Sequence, residues 1–426
     1  YNMPGAVTQL LAKGVQDEAL TDGPDITFFE AVYQQYVDFA IEATKHTANG
    51  TPNFGRESLF ELIRTGDMIT RCILEITLPG ISVTGGSAIF NWAPYIGQTM
   101  IKYVKLEIGN TEVDKHYGLW MNVWGDLTID ESKQRGWKEM IGQQTSVETI
   151  TYSGGVGTAA YTYIDLQAQK ATHPQTTLYV PLQFWFCRDP GVALPIVALP
   201  FAPVRVRVEF RPLSELYVSS GSSTTTHESV SLVDCELWAD HIFVDNDERD
   251  EIVNEPHEYL VTQVQFPSEE VISASAATFK AKLNFNHPIK ELMWFVQDDD
   301  NVNSSTRDWT NYTSGNGRQT AITELKLTAN NQDRFVTRKS KVFTHVQPFY
   351  HHTRIPDKVG IFVYSFSLFP EEYQPNGTFN FSRIDNPNLE LTLDSAIVVA
   401  SKLYVFAVNV NLFRVANGTG GIGYTA

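Results

Sequence analysis

The chain has 426 residues, with 32 Lys and Arg against 49 Asp and Glu, so its formal net charge is −17 at pH 7. This balance argues against direct nucleic-acid binding, which needs clustered Lys and Arg to neutralise phosphates. The composition, 42% hydrophobic and 19% charged, excludes a disordered chain.

The first 56 residues show little alternation of apolar and polar side chains, and we predict an N-terminal arm over 1–56. Within it, apolar residues between Phe28 and Ala40 follow i, i+3, i+4 spacing. That spacing favours a short helix or an arm packed on another surface.

Residues 57–246 contain several short runs typical of β-strands. In Val204 to Phe210, four apolar side chains alternate with Arg and Glu, which predicts a strand with one buried and one solvated face. Tyr179 to Cys187 is apolar almost throughout and predicts a strand covered on both faces. Asp114 to Met140 is rich in Trp, and we expect it to be helical in parts.

A charged run from Asp245 to Glu255 is the clearest domain boundary, and we place a linker at 247–257. Alternating runs resume over 258–426. The predicted strands there include Tyr259 to Phe266, Ile289 to Val296 and Lys402 to Phe413.

The second half repeats the first in a fixed order. The unit at 178–212 matches 360–394, because each has an aromatic run, a turn that contains proline and an alternating strand. Further matches, in the same order, are Ile73–Ile76 with Leu292–Phe295, Lys105-Leu106 with Lys326-Leu327, and Glu236–Trp238 with Lys402–Tyr404. Two β units of this size with short strands indicate sandwiches or jelly rolls.

Ordered runs across nearly the whole chain carry a family resemblance. They include Asp25-Ile26-Thr27-Phe28-Phe29, Tyr179-Val180-Pro181-Leu182, Pro190-Gly191-Val192-Ala193-Leu194-Pro195, Leu283-Asn284-Phe285-Asn286-His287-Pro288, Asn380-Phe381-Ser382-Arg383-Ile384-Asp385-Asn386 and Gly420-Gly421. In these runs the sequence resembles the major capsid proteins of the nucleocytoplasmic large DNA viruses, the double jelly-roll family of algal and amoebal giant viruses.

The resemblance implies an all-β fold of two consecutive antiparallel eight-stranded jelly rolls, a double jelly roll, with short helices in the loops. It implies homotrimers that form pseudo-hexagonal capsomers and tile an icosahedral shell assembled in the host cytoplasm. The implied partners are neighbouring capsomers, minor capsid and penton proteins, and an internal membrane reached through the minor proteins. No enzymatic activity and no cofactor are expected.

We predict no catalytic site and no nucleotide-binding site from the sequence. Gly418 to Gly423 matches the dinucleotide fingerprint G-x-G-x-x-G. That motif works only where a helix N-terminus follows and holds the pyrophosphate, and Tyr424-Thr425-Ala426 is too short for a helix.

Metal sites are likewise not predicted. His345, His351, His352 and Asp357 lack a Cys pair or an HExxH spacing, and adjacent side chains in an extended chain point to opposite sides. Asp298 to Asp300 lacks the Gly and the twelfth-position Glu of a calcium loop. Cys72, Cys187 and Cys235 lie in strand-like runs, where we expect free thiols packed in the core.

Two further features leave alternatives open. Sequons at Asn49, Asn303 and Asn311 are possible N-glycosylation sites, whereas we expect packing roles for Asn376 and Asn380. A carbohydrate-binding or sugar-cleaving protein is the alternative function, because jelly rolls host both roles. Its binding residues would be Trp309 and Tyr312 beside Asp308.

Overall fold

The first half of the chain folds into a jelly roll, in a computed structural model that describes residues 5–12, 37–83, 89–143, 172–220, 230–314, 319–394 and 399–425. Its strands are β1 (Phe39–Asn49), β2 (Glu57–Glu61), β3 (Met68–Leu78), β4 (Ile101–Ile108), β5 (Thr111–Tyr117), β6 (Thr176–Pro181), β7 (Val204–Phe210) and β8 (Asp234–Val244). The strand order is β1-β8-β3-β6 in one antiparallel sheet and β2-β7-β4-β5 in the other. The end of β1 also pairs with β2, which joins the sheets at one corner.

The second half repeats this arrangement. Its strands are β9 (His257–Gln265), β10 (Thr278–Lys282), β11 (Pro288–Asp298), β12 (Ile322–Ala329), β13 (Gln332–Lys339), β14 (Phe362–Ser365), β15 (Asn388–Leu393) and β16 (Ser401–Ala416). The sheet orders are β9-β16-β11-β14 and β10-β15-β12-β13, which are those of the first half with eight added to each strand number. The predicted double jelly roll is therefore confirmed.

Each jelly roll has a core between its two sheets. In β7 the burial alternates strictly, with Val204, Val206, Val208 and Phe210 inward and nearly inaccessible to solvent. In the second roll, Leu389, Leu391 and Leu393 of β15 point inward in the same way. Burial of apolar side chains contributes about 25 cal/mol per Å² of area removed from water, so these inward side chains stabilise each roll.

The two jelly rolls pack directly on each other. Strand β11 is buried along almost its whole length because Leu292 and Trp294 face the core of its own roll while Met293 and Phe295 face the first roll. Strand β16 is covered on both sides in the same manner. A strand covered on both faces has a nearly continuous apolar sequence, as these two do.

The loops between strands contain short elements. The α-helices are Gly5–Leu11, Ile96–Thr99, Gly118–Thr128, Glu131–Met140, Trp185–Arg188, Asn246–Asn254, Asp299–Val302 and Gln347–His351. The 3-10 turns are Pro190–Val192, Ile196–Ala198, Leu213–Glu215 and Phe381–Arg383, and Val342–Val346 is a π-helical turn. Short strands are Ile81–Ser82, Ile89–Trp92, Thr172–His173, Tyr217–Ser220, Glu270–Ile272, Thr313–Ser314, Gln319–Thr320, Phe379–Asn380 and Thr419–Ile422.

In the described part of the chain, no helix is long and apolar enough to cross a membrane. The predicted helical content of Asp114 to Met140 is confirmed by the helices Gly118–Thr128 and Glu131–Met140.

The arm boundary at residue 56 is wrong, because β1 lies within the predicted arm and pairs with β8 along nearly its full length. Its inward positions from Ala40 onward include Glu42, Thr44 and His46, which are small or polar, so the strand has no hydrophobic alternation. Most of the predicted i, i+3, i+4 segment lies outside the described residues.

Two finer predictions also fail. Tyr179 to Cys187 is not one strand: β6 ends at Pro181, and Trp185–Arg188 turns helically so that its aromatic side chains face the core. The match of Ile73–Ile76 with Leu292–Phe295 is out of register, because Leu74 faces its own core and Met293 faces the other roll. A shift of one residue in a strand exchanges its two faces.

Candidate functional site

The contact between the two jelly rolls combines aromatic packing with buried polar interactions. Tyr117 of the first roll packs edge-on against Phe266, and Trp185 packs against Phe413 of β16. The backbone N–H of Val264 in β9 donates to the Asp114 carboxylate of β5, at 3.1 Å. Strand β9 is thereby tied to the outer edge strand of the first roll.

A buried ion cluster lies at the same contact. Arg354 of the second roll reaches Asp126 of the first, with 3.2 Å between Nη1 and Oδ1, and both side chains are almost fully buried. The same guanidinium also pairs with Glu131 and with Asp357, whose side chain is 60% exposed. Burying one member of such a cluster without its partner costs several kcal/mol, so the rolls are held in one relative position.

Lys358 adds a second cation to this cluster. Its ammonium lies 3.6 Å from the centre of the Tyr95 ring and donates to the Asn122 side chain, both on the first roll. Burial lowers the pKa of Lys358 to about 8, although the carboxylates of Asp126 and Asp308 oppose that shift.

A second buried cluster surrounds His352 in the second roll. Its Nε2 lies 3.0 Å from Glu291 on β11 and its Nδ1 lies 2.8 Å from Glu371, and the His352 and Glu291 side chains are inaccessible to solvent. Burial alone lowers the pKa of His352, but the two carboxylates outweigh it and raise the pKa to about 9. The imidazolium thus fixes the turn that contains Glu371 to the sheet.

The histidines considered as metal ligands do not converge. His351 bonds to the Leu368 carbonyl, His345 to the Thr344 hydroxyl, and His352 to its two carboxylates. Asp357 pairs with Arg354 and Lys138. Among the described residues no group of three or more His, Cys, Asp or Glu is arranged to hold a metal ion.

The residues of the carbohydrate alternative do not form an open binding face. The Trp309 indole donates to the Glu215 carbonyl at 2.9 Å and lies under the Arg211 guanidinium. Tyr312 is 1% exposed and packs on Phe295. Trp309 and Tyr312 therefore belong to the contact between the jelly rolls and are not available to a sugar ring.

The Gly-rich run at 418–423 and the acidic run from Asp298 to Asp300 have structural roles. Thr419–Ile422 pairs with the end of β16, so the Gly-rich run forms a hairpin and Asn417 occupies its turn with a positive φ. Asp298 accepts a hydrogen bond from the Ser401 hydroxyl, and Asp299–Val302 forms a single helical turn.

The sequon asparagines differ in their exposure and in the hydrogen bonds that their side chains make. Asn49 and Asn303 are exposed, and Asn311 is half-buried with its Oδ1 bonded to Thr313. Both ends of the Asn376 amide are bonded, to Ser367 and to the backbone of Phe369. The three cysteines are free, with Cys72 and Cys235 buried.

Sequence reasoning missed an exposed apolar group on the second roll. It consists of five side chains that are between 51% and 68% exposed: Val336, Phe349, Tyr350, Leu368 and Phe369. The available signal was the adjacent pair Phe349-Tyr350 outside any alternating strand. We call these five residues the second-roll flank.

Comparisons with known proteins agree with this architecture. The family model described as the N-terminus of the major capsid protein matches residues 27–245. The model described as the large eukaryotic DNA virus major capsid protein matches residues 248–421.

Individual relatives match over the whole length. Major capsid proteins of Phaeocystis pouchetii virus and Pyramimonas orientalis virus are 35% and 36% identical, each over 99% of this chain and 100% of the relative. A quasi-atomic model of the PBCV-1 virus capsid superposes with a TM-score of 0.75 at 29% identity, over 94% of this chain and 100% of that one. The chain therefore belongs to the family of large eukaryotic DNA virus major capsid proteins, which are structural components of the capsid and not enzymes.

Proposed function

We propose that this protein forms a homotrimer whose six jelly rolls make a pseudo-hexagonal capsomer, and that these capsomers tile the icosahedral shell of a large double-stranded DNA virus. The observation that carries the proposal is the identical strand order of the two rolls. Three copies place six similar domains around one axis, and such a block packs on a hexagonal lattice.

The contact between the rolls supports a rigid block. Its buried ion pairs and its aromatic packing hold the two rolls in one position within the chain. A shell built from repeated blocks needs that rigidity, because small rotations at each contact add up over many copies. Long loops at the strand ends are free to vary without changing the tiling surfaces.

The charge of −17 sets a requirement on the trimer. Like-charge repulsion opposes association, so stable contacts need apolar centres and about 2,000 Å² or more of buried surface. Contacts between capsomers are smaller and more polar in this proposal, and they weaken as salt screens them.

The remaining partners follow from the shell. We infer contacts with minor capsid and penton proteins, an inner face directed toward an internal membrane through minor proteins, and assembly in the host cytoplasm. Direct nucleic-acid binding is not part of the proposal, because the net charge is negative. N-linked sugar at Asn303, Asn311 or Asn49 is proposed as a modification of the shell surface.

Analytical ultracentrifugation of the purified protein at moderate salt tests the trimer. We expect one species of three times the chain mass at micromolar concentration, and three-fold particles in negative-stain electron microscopy. A stable monomer under these conditions overturns the trimer.

A further inference from the structure

A lysine of the second jelly roll and an asparagine of the first lie in direct contact where the two rolls meet. The Lys358 ammonium donates to Oδ1 of Asn122, and the two residues are 236 positions apart in the sequence. Asn122 lies in the helix Gly118–Thr128 and is inaccessible to solvent. Its amide is held in one orientation, because Nδ2 donates to Oε1 of Gln98 at 2.9 Å. The carbonyl end of the amide therefore meets the lysine, and the carbonyl carbon is one bond away from the contacted oxygen.

The surroundings of Lys358 favour an uncharged amine. The residue is half-buried as a whole, and its ammonium contacts Asn122 and lies 3.6 Å from the centre of the buried Tyr95 ring. Burial lowers the pKa of Lys358 to about 8, so about half of the amines are unprotonated at that pH. Only the unprotonated amine has a lone pair with which to attack a carbonyl carbon.

Carboxyl groups beside the pair can carry the proton that such a reaction must move. Asp126 lies one helical turn after Asn122 in the same helix, so their side chains share a face. It is 1% exposed, and its Oδ2 accepts the backbone N–H of Lys358 at 3.4 Å. Asp308 is a second carboxyl group whose charge acts on Lys358, and burial raises its own pKa. A carboxyl group in this position can accept a proton from the amine and return it to the leaving group.

We propose that Lys358 and Asn122 form an intramolecular isopeptide bond that crosslinks the two jelly rolls. Nζ of the unprotonated lysine attacks Cγ of Asn122, the Nζ–Cγ bond forms, and the Cγ–Nδ2 bond breaks. A proton of the amine passes through the neighbouring carboxyl groups to Nδ2, which leaves as ammonia. One amide replaces another, so the step consumes no oxidant, reductant or cofactor. Contact between the reacting groups in the fold removes most of the entropic cost of bringing them together.

The pairing with a side-chain amide distinguishes Lys358 from Lys290. Burial lowers the pKa of Lys290 to about 8 as well, but its ammonium donates to the backbone carbonyl of Glu372 at 2.7 Å. Attack on a backbone carbonyl would cut the chain, whereas attack on the Asn122 side chain leaves the backbone intact. The geometry therefore provides for a crosslink at Lys358 and not at Lys290.

The crosslink makes the contact between the rolls permanent. It closes a loop between positions 236 residues apart, which reduces the conformational freedom of the unfolded chain. The neighbouring ion pair of Arg354 with Asp126 is noncovalent and separates when the chain unfolds. The inference does not depend on the proposed trimer, because both reacting residues belong to the same chain.

Mass spectrometry of the intact, denatured full-length chain tests the bond. After the folded protein has been kept at pH 8, we expect each chain to be lighter than its sequence by the mass of one ammonia. Trypsin should then release peptide 116–133 joined to peptide 355–383, because an acylated Lys358 is no longer cleaved. A parent mass equal to that of the sequence overturns the proposal.

Variants separate this bond from other losses of ammonia. Lys358→Arg and Asn122→Ala should both keep the full mass of their sequences. The control Lys102→Arg replaces a lysine that pairs with Glu209 at the surface, and it should lose one ammonia as the parent does. An asparagine that precedes glycine, such as Asn376, also loses ammonia when it cyclises. A loss that persists in Lys358→Arg, or joined peptides that contain another lysine, overturns the assignment.

The fold dependence of the bond gives a control that does not rely on substitutions. In urea at the same pH the two reacting groups are no longer held together, so the joined peptides should not form in a parent chain that was unfolded before the incubation. Formation at an equal rate in urea overturns the role of the contact between Lys358 and Asn122.

Discussion

His352 and Glu291 form a fully buried ion pair, with 3.0 Å between Nε2 and Oε2. The folded pKa of His352 is about 9, above its unfolded value of 6.5. A group with a raised folded pKa contributes stability that is complete below the unfolded pKa and is lost as pH rises through the folded pKa. The shift corresponds to about 3 kcal/mol at its maximum.

The first prediction concerns pH. The free energy of unfolding should include a His352 contribution that declines from pH 6.5 toward pH 9. Burial lowers the pKa of the adjacent Lys290 to about 8. Above that pH the lysine makes the free energy of unfolding rise with pH, which is opposite to the effect of His352. Measurements between pH 6.5 and 8 therefore report mainly on the histidine. Urea unfolding of the parent and of His352→Gln across this range measures it.

The difference between parent and His352→Gln should shrink as pH rises. The double variant His352→Gln with Glu291→Gln is the matched control, because it lacks the buried carboxylate as well as the histidine. Its free energy of unfolding should not depend on pH between 6.5 and 8. A constant difference between parent and His352→Gln contradicts the assignment.

The second prediction concerns the ion cluster between the rolls. Asp126→Ala leaves Arg354 buried beside fewer carboxylates and should lower the free energy of unfolding by about 3 to 5 kcal/mol. Asp357→Ala removes another partner of the same guanidinium, but the Asp357 side chain is 60% exposed, so a loss below about 1 kcal/mol is expected. Denaturant midpoints of both variants decide the matter, and equal losses count against the proposed role of burial.

The third prediction concerns thiols and metals. Cys72, Cys187 and Cys235 are free, and a hydrogen bond with Cys187 together with burial raises the pKa of the Cys72 thiol, which makes it a poor nucleophile. Thiol titration should find three groups per chain in denaturant and slow reaction at Cys72 and Cys235 in the native protein. A chelator should leave the melting temperature unchanged, and a clear drop means that a metal contributes to folding.

The fourth prediction concerns sugars. If the host attaches N-linked glycans, peptide mass spectrometry of virion protein should find them at the exposed Asn303 and Asn49 and, to a smaller extent, at the half-buried Asn311. Asn376 should be unmodified, because both ends of its amide are bonded to Ser367 and Phe369. Modification of Asn376 alone contradicts this ranking.

Alternation in the sequence located strands in which apolar side chains line the buried face and polar side chains line the solvated face. Strand β7 was predicted at its observed position for this reason. Strand β1 was missed because its inward positions hold Ala, Glu, Thr and His. The run Val342–Val346 forms a π-helical turn, because a short apolar run is equally compatible with a strand and with a buried helix.

The candidate surfaces were less accessible to sequence reasoning. Trp309 and Tyr312 were the sugar-binding candidates in the sequence, and the packing of one roll on the other buries Tyr312 and partly covers Trp309. The sequence analysis grouped His352 with the nearby His345, His351 and Asp357. Its actual partners, Glu291 and Glu371, lie elsewhere in the sequence and contact it only in the folded chain.

The sequence by itself determined that the chain holds two similar all-β units in a fixed order, because strand periodicity and repeat order are local and survive without knowledge of contacts. Only the tertiary structure decided which face of each strand meets the other roll, because Met293 and Leu292 are both apolar and differ only in what covers them. It also decided which surfaces are left uncovered. The second-roll flank is defined by the absence of a neighbouring roll within the described chain, and no single side chain encodes that property.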